Sequence, residues 1–205
     1  MLPVLLDLNG RLVLVVGGGA VGLRKAAAAR AAGGRVRLVC LEPRPAGLED
    51  PAIDWRQEPY AEAHLDGVVL ALAAGPAGVN AQVAADARRR GLWVNVATDP
   101  AAGDVYLPAT VRRGGLVVAV GTGGAAPALA ARLRRRLEEE LDPALADWVA
   151  LLAELRPVVL ATVADEGRRR EAFERLADWA WLGRLRSEGV EAVRRAMRES
   201  LDSPG

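Results

Sequence analysis

The sequence predicts an α/β fold. An N-terminal parallel sheet wrapped by helices is followed by a strand–strand–helix middle and an all-helical C-terminal part. Three observations predict it. Short Val-rich apolar runs alternate with stretches of small helix formers as far as Ala97. Those runs carry few alternating polar residues, as strands buried on both faces of a parallel sheet do. After Pro100 the pattern changes to two adjacent strand-like runs, then to helical periodicity.

The elements follow in order. Arg11–Val16 (RLVLVV) is a strand ending in Gly17-Gly18-Gly19, and Ala20–Ala32 is a helix that Gly33-Gly34 stops. Arg35–Cys40 is the next strand, so the opening is a parallel crossover unit. Ala61–Leu65 is a short helix presenting His64 at the surface, and Cys40 reads as a small buried hydrophobe. Val68–Ala73 is a strand, Val79–Arg90 a helix closed by Gly91, and Leu92–Ala97 a strand. Val105–Val111 and Leu116–Val120 read as a hairpin joined by Arg112-Arg113-Gly114-Gly115. Pro127–Leu141 is a helix with proline in its first turn. Asp142 and Pro143 open another as N-cap and N1. Arg168–Asp178 and Val190–Leu201 are further amphipathic helices, with stops at Gly167, Gly183 and Gly189, and Asp202–Gly205 is a frayed tail. The domains are therefore 1–104, 105–142 and 143–205.

Composition narrows the function. The 205 residues are 51% apolar and 26% charged, enough to build a core. A net charge of +1 argues against a globally basic nucleic-acid binder, and 4% aromatics are too few to stack bases. One cysteine and one histidine exclude a disulfide framework and a Cys/His metal cage, so no metal site is expected. No signal peptide or membrane span is legible, which points to the cytoplasm. Lys25 is the one lysine among 27 basic residues.

Gly17-x-Gly19-x-x-Gly22 follows a strand and opens a helix, and Glu42 ends the second strand 20 residues after Gly22. Gly17 allows the tight turn, Gly19 the approach of a pyrophosphate, and Gly22 close helix–strand packing, in the manner of a Rossmann-like dinucleotide site. Glu42 accepts from a ribose hydroxyl and repels a 2′-phosphate, which favours NAD over NADP. Ala20 and Val21 in the first helical turn, Leu41 beside Glu42, and Ala74 after the Val68–Ala73 strand complete the candidate cofactor contacts. The alternative is a glycine turn that merely packs.

Asn95–Pro100 lies at the carboxyl end of a strand, where open α/β sheets bind ligands. Asp99 is a candidate acid/base group and equally a turn-initiating Asp before proline. Asp104 is a weaker candidate. From Val105 to Leu137 there are six arginines and no acid, as expected of a segment that meets a polyanion. Arg112 and Arg113 are the open candidates. Arg134–Arg136 precede Glu138–Glu140 at i+4 spacing and read as a solvated face. Thr122, Gly123 and Gly124, before the next helix, can offer a hydroxyl and backbone N–H groups to an anion.

On these residues the chain resembles the siroheme synthase dehydrogenase/ferrochelatase family. The resemblance is carried by the opening LPVLLDLNGRLVLVVGGGAVGLRK, by VNVATDPAAGDVYLPATVRRGGLVVAVGTGGAAPALAARLRR, and by the C-terminal RRREAFERL. It implies NAD-dependent oxidation of precorrin-2 to sirohydrochlorin in siroheme (or haem d1) synthesis, and in some members insertion of ferrous iron. It also implies a homodimer interlocked through the middle segment. Two departures stand out. The family's strand-end Asp, taken as its acid/base residue, is Thr98 here, with Asp99 one residue on. The family's Ala-Ala-Thr-Asp-Asp reads Ala73-Ala74-Gly75-Pro76. The first departure implies a dehydrogenase with weak ferrochelatase activity. Two competing readings are a dinucleotide-sensing regulatory module and a tetrapyrrole-binding paralogue without turnover.

Overall fold

The computed structural model describes residues 1–46 and 48–202; the expected fraying of the last residues falls, from residue 203 on, outside the described residues. The chain forms two compact units, Met1–Leu107 and a second from Pro108 onward.

The first unit is a five-stranded, wholly parallel sheet in the order β3-β2-β1-β4-β5. Its strands are β1 Leu12–Val16, β2 Arg35–Cys40, β3 Ile53–Gln57, β4 Val68–Ala73 and β5 Trp93–Val96. Successive side chains on a strand face opposite ways. Val13 and Val15 pack under α1 (Ala20–Ala31) with Ala26, Ala29 and Leu38, while Leu14 and Val16 pack under α2 (Ala77–Arg89) with Val83, Ala84 and Ala87. Both faces of β1 are thus buried, which is why its sequence is an unbroken apolar run. Each such Val or Leu removed from water contributes about 1.5–3 kcal/mol. Strand order reverses between β1 and β4, the place where doubly wound sheets leave a crevice.

β3 is a strand that the sequence reading lacks. It is an edge strand burying only Ile53, so IDWRQ carries no apolar run.

In the second unit the hairpin is β6 Ala109–Arg113 with β7 Leu116–Val120. The strand expected from Val105 starts four residues later. Val105 is bonded at both its N–H and its carbonyl within the first unit, and Pro108 has no N–H to pair. Arg113 pairs with Leu116, so Gly114-Gly115 is the turn and the two arginines are strand residues rather than a tip. Gly114 has φ +55°, which suits glycine.

The helices of this unit are α3 Pro127–Glu140, α4 Leu145–Thr162, α5 Glu166–Leu176, α6 Ala180–Glu188 and α7 Val190–Asp202. Leu151, Leu155, Val159, Leu176, Val193 and Met197 lie in the core shared by α4–α7, and the buried Trp148 donates from its indole to the Leu176 carbonyl at 3.1 Å. Gly167 and Gly183, expected as stops, lie inside α5 and α6; Asp165 caps α5 by accepting from Arg168 N–H. Gly183 is not among the positive-φ glycines, and a Cβ there would meet open space, so its backbone makes no demand that would stop the helix. Asp142 accepts from Ala144 N–H and tightens a preceding turn, so α4 begins at Leu145 instead of Pro143. α4 runs through Pro157 because the fully buried Val159 beyond it holds the last turns in the core. Among the described residues no helix is long and apolar enough to cross a membrane.

Candidate functional site

In the first unit the carboxyl ends of β1 and β4 meet at the sheet's reversal. Gly17 N–H donates to the Val39 carbonyl at 2.8 Å, and Ala74 N–H donates to the Val16 carbonyl at 2.8 Å. Gly17 has φ +111°, and a Cβ there would lie 2.5 Å from the Ala74 carbonyl oxygen. A Cβ at Gly22 would lie 1.9 Å from the Gly17 carbonyl oxygen. These two glycines are therefore demanded by backbone packing. Gly19 differs: a Cβ there meets nothing within 4 Å. It borders open space at the N-terminus of α1.

That helix start has no side-chain cap and no acid in its first turn, so its N–H groups and dipole face the open space unopposed. Ala20 and Val21 are exposed in that turn. Leu41 is 69% exposed beyond β2, and Glu42 follows it. The Glu42 carboxylate comes within 3.1 Å of where a Gly18 Cβ would be, so it hangs over the glycine turn. Cys40 is buried beneath, its thiol pushed up by burial and then by Glu42. A glycine turn before an uncapped helix start, with a carboxylate over it and apolar surface beside it, suits a dinucleotide.

The neighbouring edge is wired by Asn80, Asn95 and Lys25, whose pairings no motif in the sequence announces. Asn80 on α2 is fully buried. Its amide donates to the Gly75 carbonyl (2.8 Å) and to the Thr98 hydroxyl (3.0 Å), and accepts from Gly75 N–H (2.9 Å). It therefore ties the turn after β4 to the loop after β5. Its signal was an asparagine on the stripe shared by Val83, Ala84 and Ala87. On the other face, the ammonium of Lys25 on α1 donates to the Asn95 side-chain oxygen, while the same amide donates to the Val105 carbonyl at 2.6 Å. Burial, and then Arg24, push the Lys25 ammonium below the usual lysine range.

The acid/base candidates are all exposed. Asp99 accepts from Ala101 N–H at 3.1 Å and caps a 3-10 turn over Pro100–Ala102; Asp104 donates its N–H to the Val94 carbonyl at 2.8 Å. Thr98 and Asp99 thus share one loop at the carboxyl edge, but the hydroxyl is engaged with Asn80.

In the second unit, Arg113 turns its guanidinium onto the Leu141 and Glu138 carbonyls at the end of α3. Arg112, its strand neighbour, is exposed. Thr122 accepts from Ala126 N–H at 3.2 Å, and Gly123 and Gly124 carry φ of +65° and +84° in the turn leading to α3. Arg134 and Arg136 pair with Glu138 and Glu140 at i+4.

Two families match the chain. One, described as "Putative NAD(P)-binding", matches residues 4–109, and another, the sirohaem biosynthesis protein central segment, matches residues 113–140. Siroheme synthase 1 of Aeromonas salmonicida (strain A449) is 37% identical over 98% of this chain. A siroheme synthase of Chromobacterium violaceum is 38% identical over 99% of it. The chain covers 44% of each, so it spans less than half the length of these curated relatives. Among solved structures, SirC, precorrin-2 dehydrogenase, aligns with a TM-score of 0.73 over 98% of this chain and 99% of that chain, at 24% identity, a likeness of fold.

Proposed function

Because the chain belongs to the NAD(P)-binding family that matches residues 4–109, we propose that it oxidises precorrin-2 to sirohydrochlorin with NAD as acceptor. One observation carries the reading: the NAD(P)-binding segment runs directly into a sirohaem biosynthesis central segment within one chain. Bound NAD would supply the hydride acceptor. The chain's own residues do the rest. The Gly17–Gly22 turn and the uncapped start of α1 hold the pyrophosphate. Glu42 accepts from the adenosine ribose hydroxyls and repels a 2′-phosphate, so NAD is preferred to NADP. Val21 and Leu41 supply apolar contact, and Ala74 closes against Gly17. Asp99 receives the proton that leaves as the macrocycle becomes conjugated. Orientation of cofactor and substrate supplies most of the rate.

The test is anaerobic: precorrin-2 and NAD are supplied and sirohydrochlorin absorbance is followed. NAD-dependent appearance of sirohydrochlorin is the expected result. Dinucleotide binding without turnover returns the chain to a sensing module or a non-catalytic tetrapyrrole binder. Equal affinity for NADP and NAD overturns the role of Glu42.

The substrate's carboxylates call for cations. Arg112 is exposed and Arg113 is engaged by α3, so the two arginines divide the labour. Arg112→Ala is expected to raise the substrate KM by roughly tenfold, the loss of one charge-assisted bond. Arg113→Ala is expected to lower Tm with little change in KM. Thr122, Gly123 and Gly124 are proposed as further anion contacts. Unchanged KM in Arg112→Ala at low salt makes it a solvated residue.

We propose a homodimer through the middle segment. Leu129 and Leu133 of α3 are 51% and 41% exposed, and the β6–β7 sheet has two strands among the described residues. Leu133→Glu is expected to yield a monomer by sedimentation, and an unchanged mass overturns this.

A further inference from the structure

We infer that Lys25 is a positioning residue that sets the loop carrying Thr98, Asp99 and Asp104; the catalytic part of this inference rests on the function proposed above. The chain leaves β5 at Val96 and returns at Asp104, and the neck of this excursion is tied. Asp104 and Val105 both donate their N–H to the Val94 carbonyl, at 2.8 and 3.1 Å. The Asn95 amide donates to the Val105 carbonyl at 2.6 Å. Gly103 sits in the neck, where a Cβ would lie 2.9 Å from the Val94 carbonyl oxygen.

The Asn95 knot works in one orientation only. Its nitrogen must face Val105, so its oxygen must face a donor. That donor is the Lys25 ammonium. Asn95 is 8% exposed, so water is a poor substitute. Helical side chains lean toward their helix's N-terminus, which here directs a stem on α1 toward the sheet's carboxyl edge. The placement has a cost, since a partly buried ammonium loses hydration. It is also the one lysine in a chain with 26 arginines. A compact ammonium on a flexible stem meets a single amide oxygen, whereas a planar fork brings five donors that need partners.

The Gly17–Gly22 turn shares none of these bonds. Loss of the ammonium therefore loosens the catalytic loop and spares the dinucleotide site. The experiment measures amide exchange in the apo protein for Lys25→Met, which keeps the apolar stem. Exchange at Asp104 and Val105 is expected to speed by roughly tenfold or more, the effect of one charge-assisted bond. Amides of β1 stay as protected as before. NAD affinity is unchanged, while kcat for precorrin-2 oxidation falls by roughly tenfold with KM little altered. Lys25→Arg restores a donor and recovers part of the protection. Asn95→Asp keeps Lys25 paired but cannot donate to Val105, so it opens the neck too and identifies the bond through which Lys25 acts; should Lys25→Met not fold, the partial loss of protection in Lys25→Arg decides the role of Lys25. Unaltered exchange at Asp104 and Val105 in the variants overturns the inference. So does a fall in NAD affinity parallel to that in kcat. A wild-type protein that fails to oxidise precorrin-2 sinks the proposed function instead, and the exchange measurement still decides the role of Lys25.

Discussion

Gly19→Asp is expected to abolish dinucleotide binding without lowering Tm. The two halves of that result come from separate observations. A Cβ at Gly19 meets no atom within 4 Å, so the apo fold accommodates the side chain. That open space is where the start of α1 turns its uncapped N–H groups. A carboxylate there stands against a pyrophosphate. Two like charges about 4 Å apart cost about 4 kcal/mol at the effective dielectric of a protein surface. That corresponds to roughly a thousandfold in Kd. Isothermal titration of NAD into the variant checks the first half and calorimetric unfolding the second. Gly22→Ala makes the contrast: a Cβ there would lie 1.9 Å from a backbone oxygen, so it should lower Tm and binding together. Retained NAD affinity in Gly19→Asp places the pyrophosphate elsewhere.

The same glycines show why much of the site was readable in advance. Gly17 and Gly22 are required by the strand–turn–helix crossing itself, so spacing announces them. The strands were readable wherever both faces are buried, as in Val13–Val16 and Val68–Ala73. β3 was not, because an edge strand needs one buried anchor, Ile53, and tolerates Asp54 and Arg56 in an ion pair outside. Gly183 misled because a glycine weakens a helix by only about 1 kcal/mol. The packing of Leu182 and Leu185 on either side of it outweighs that. The start of the hairpin was hidden for another reason. Val105 belongs to an apolar run in either reading, and only its bonds to Val94 and Asn95 tie it to the first unit.

Polar wiring was the least legible part. Asn80, Lys25 and Asn95 act through distant partners: Lys25 and Asn95 lie 70 residues apart. No local pattern encodes that pairing. Asn80 came closest, as a polar residue on a buried stripe. A side chain able to satisfy three hydrogen bonds is the kind that survives burial there.

Asp99→Asn is expected to lower precorrin-2 oxidation by roughly a hundredfold or more, within the range general acid–base groups supply. The substitution is chosen for what it preserves. Asp99 caps its turn by accepting from Ala101 N–H, and asparagine caps nearly as well. The loop therefore keeps its shape and only the proton acceptor is lost. Thr98 sets the complementary expectation. Its hydroxyl accepts from the buried Asn80 amide and cannot serve as a base near neutral pH. Insertion of iron, here a substrate, requires both pyrrole protons to leave, so it depends on a well-placed carboxylate more than hydride transfer does. Thr98→Asp keeps an acceptor for Asn80 and adds that carboxylate. With sirohydrochlorin supplied directly, so that the first reaction cannot mask the second, iron insertion should rise above the unmodified protein. Efficient insertion by the unmodified protein, undiminished in Asp99→Asn, would place the base outside residues 96–104 and overturn the assignment.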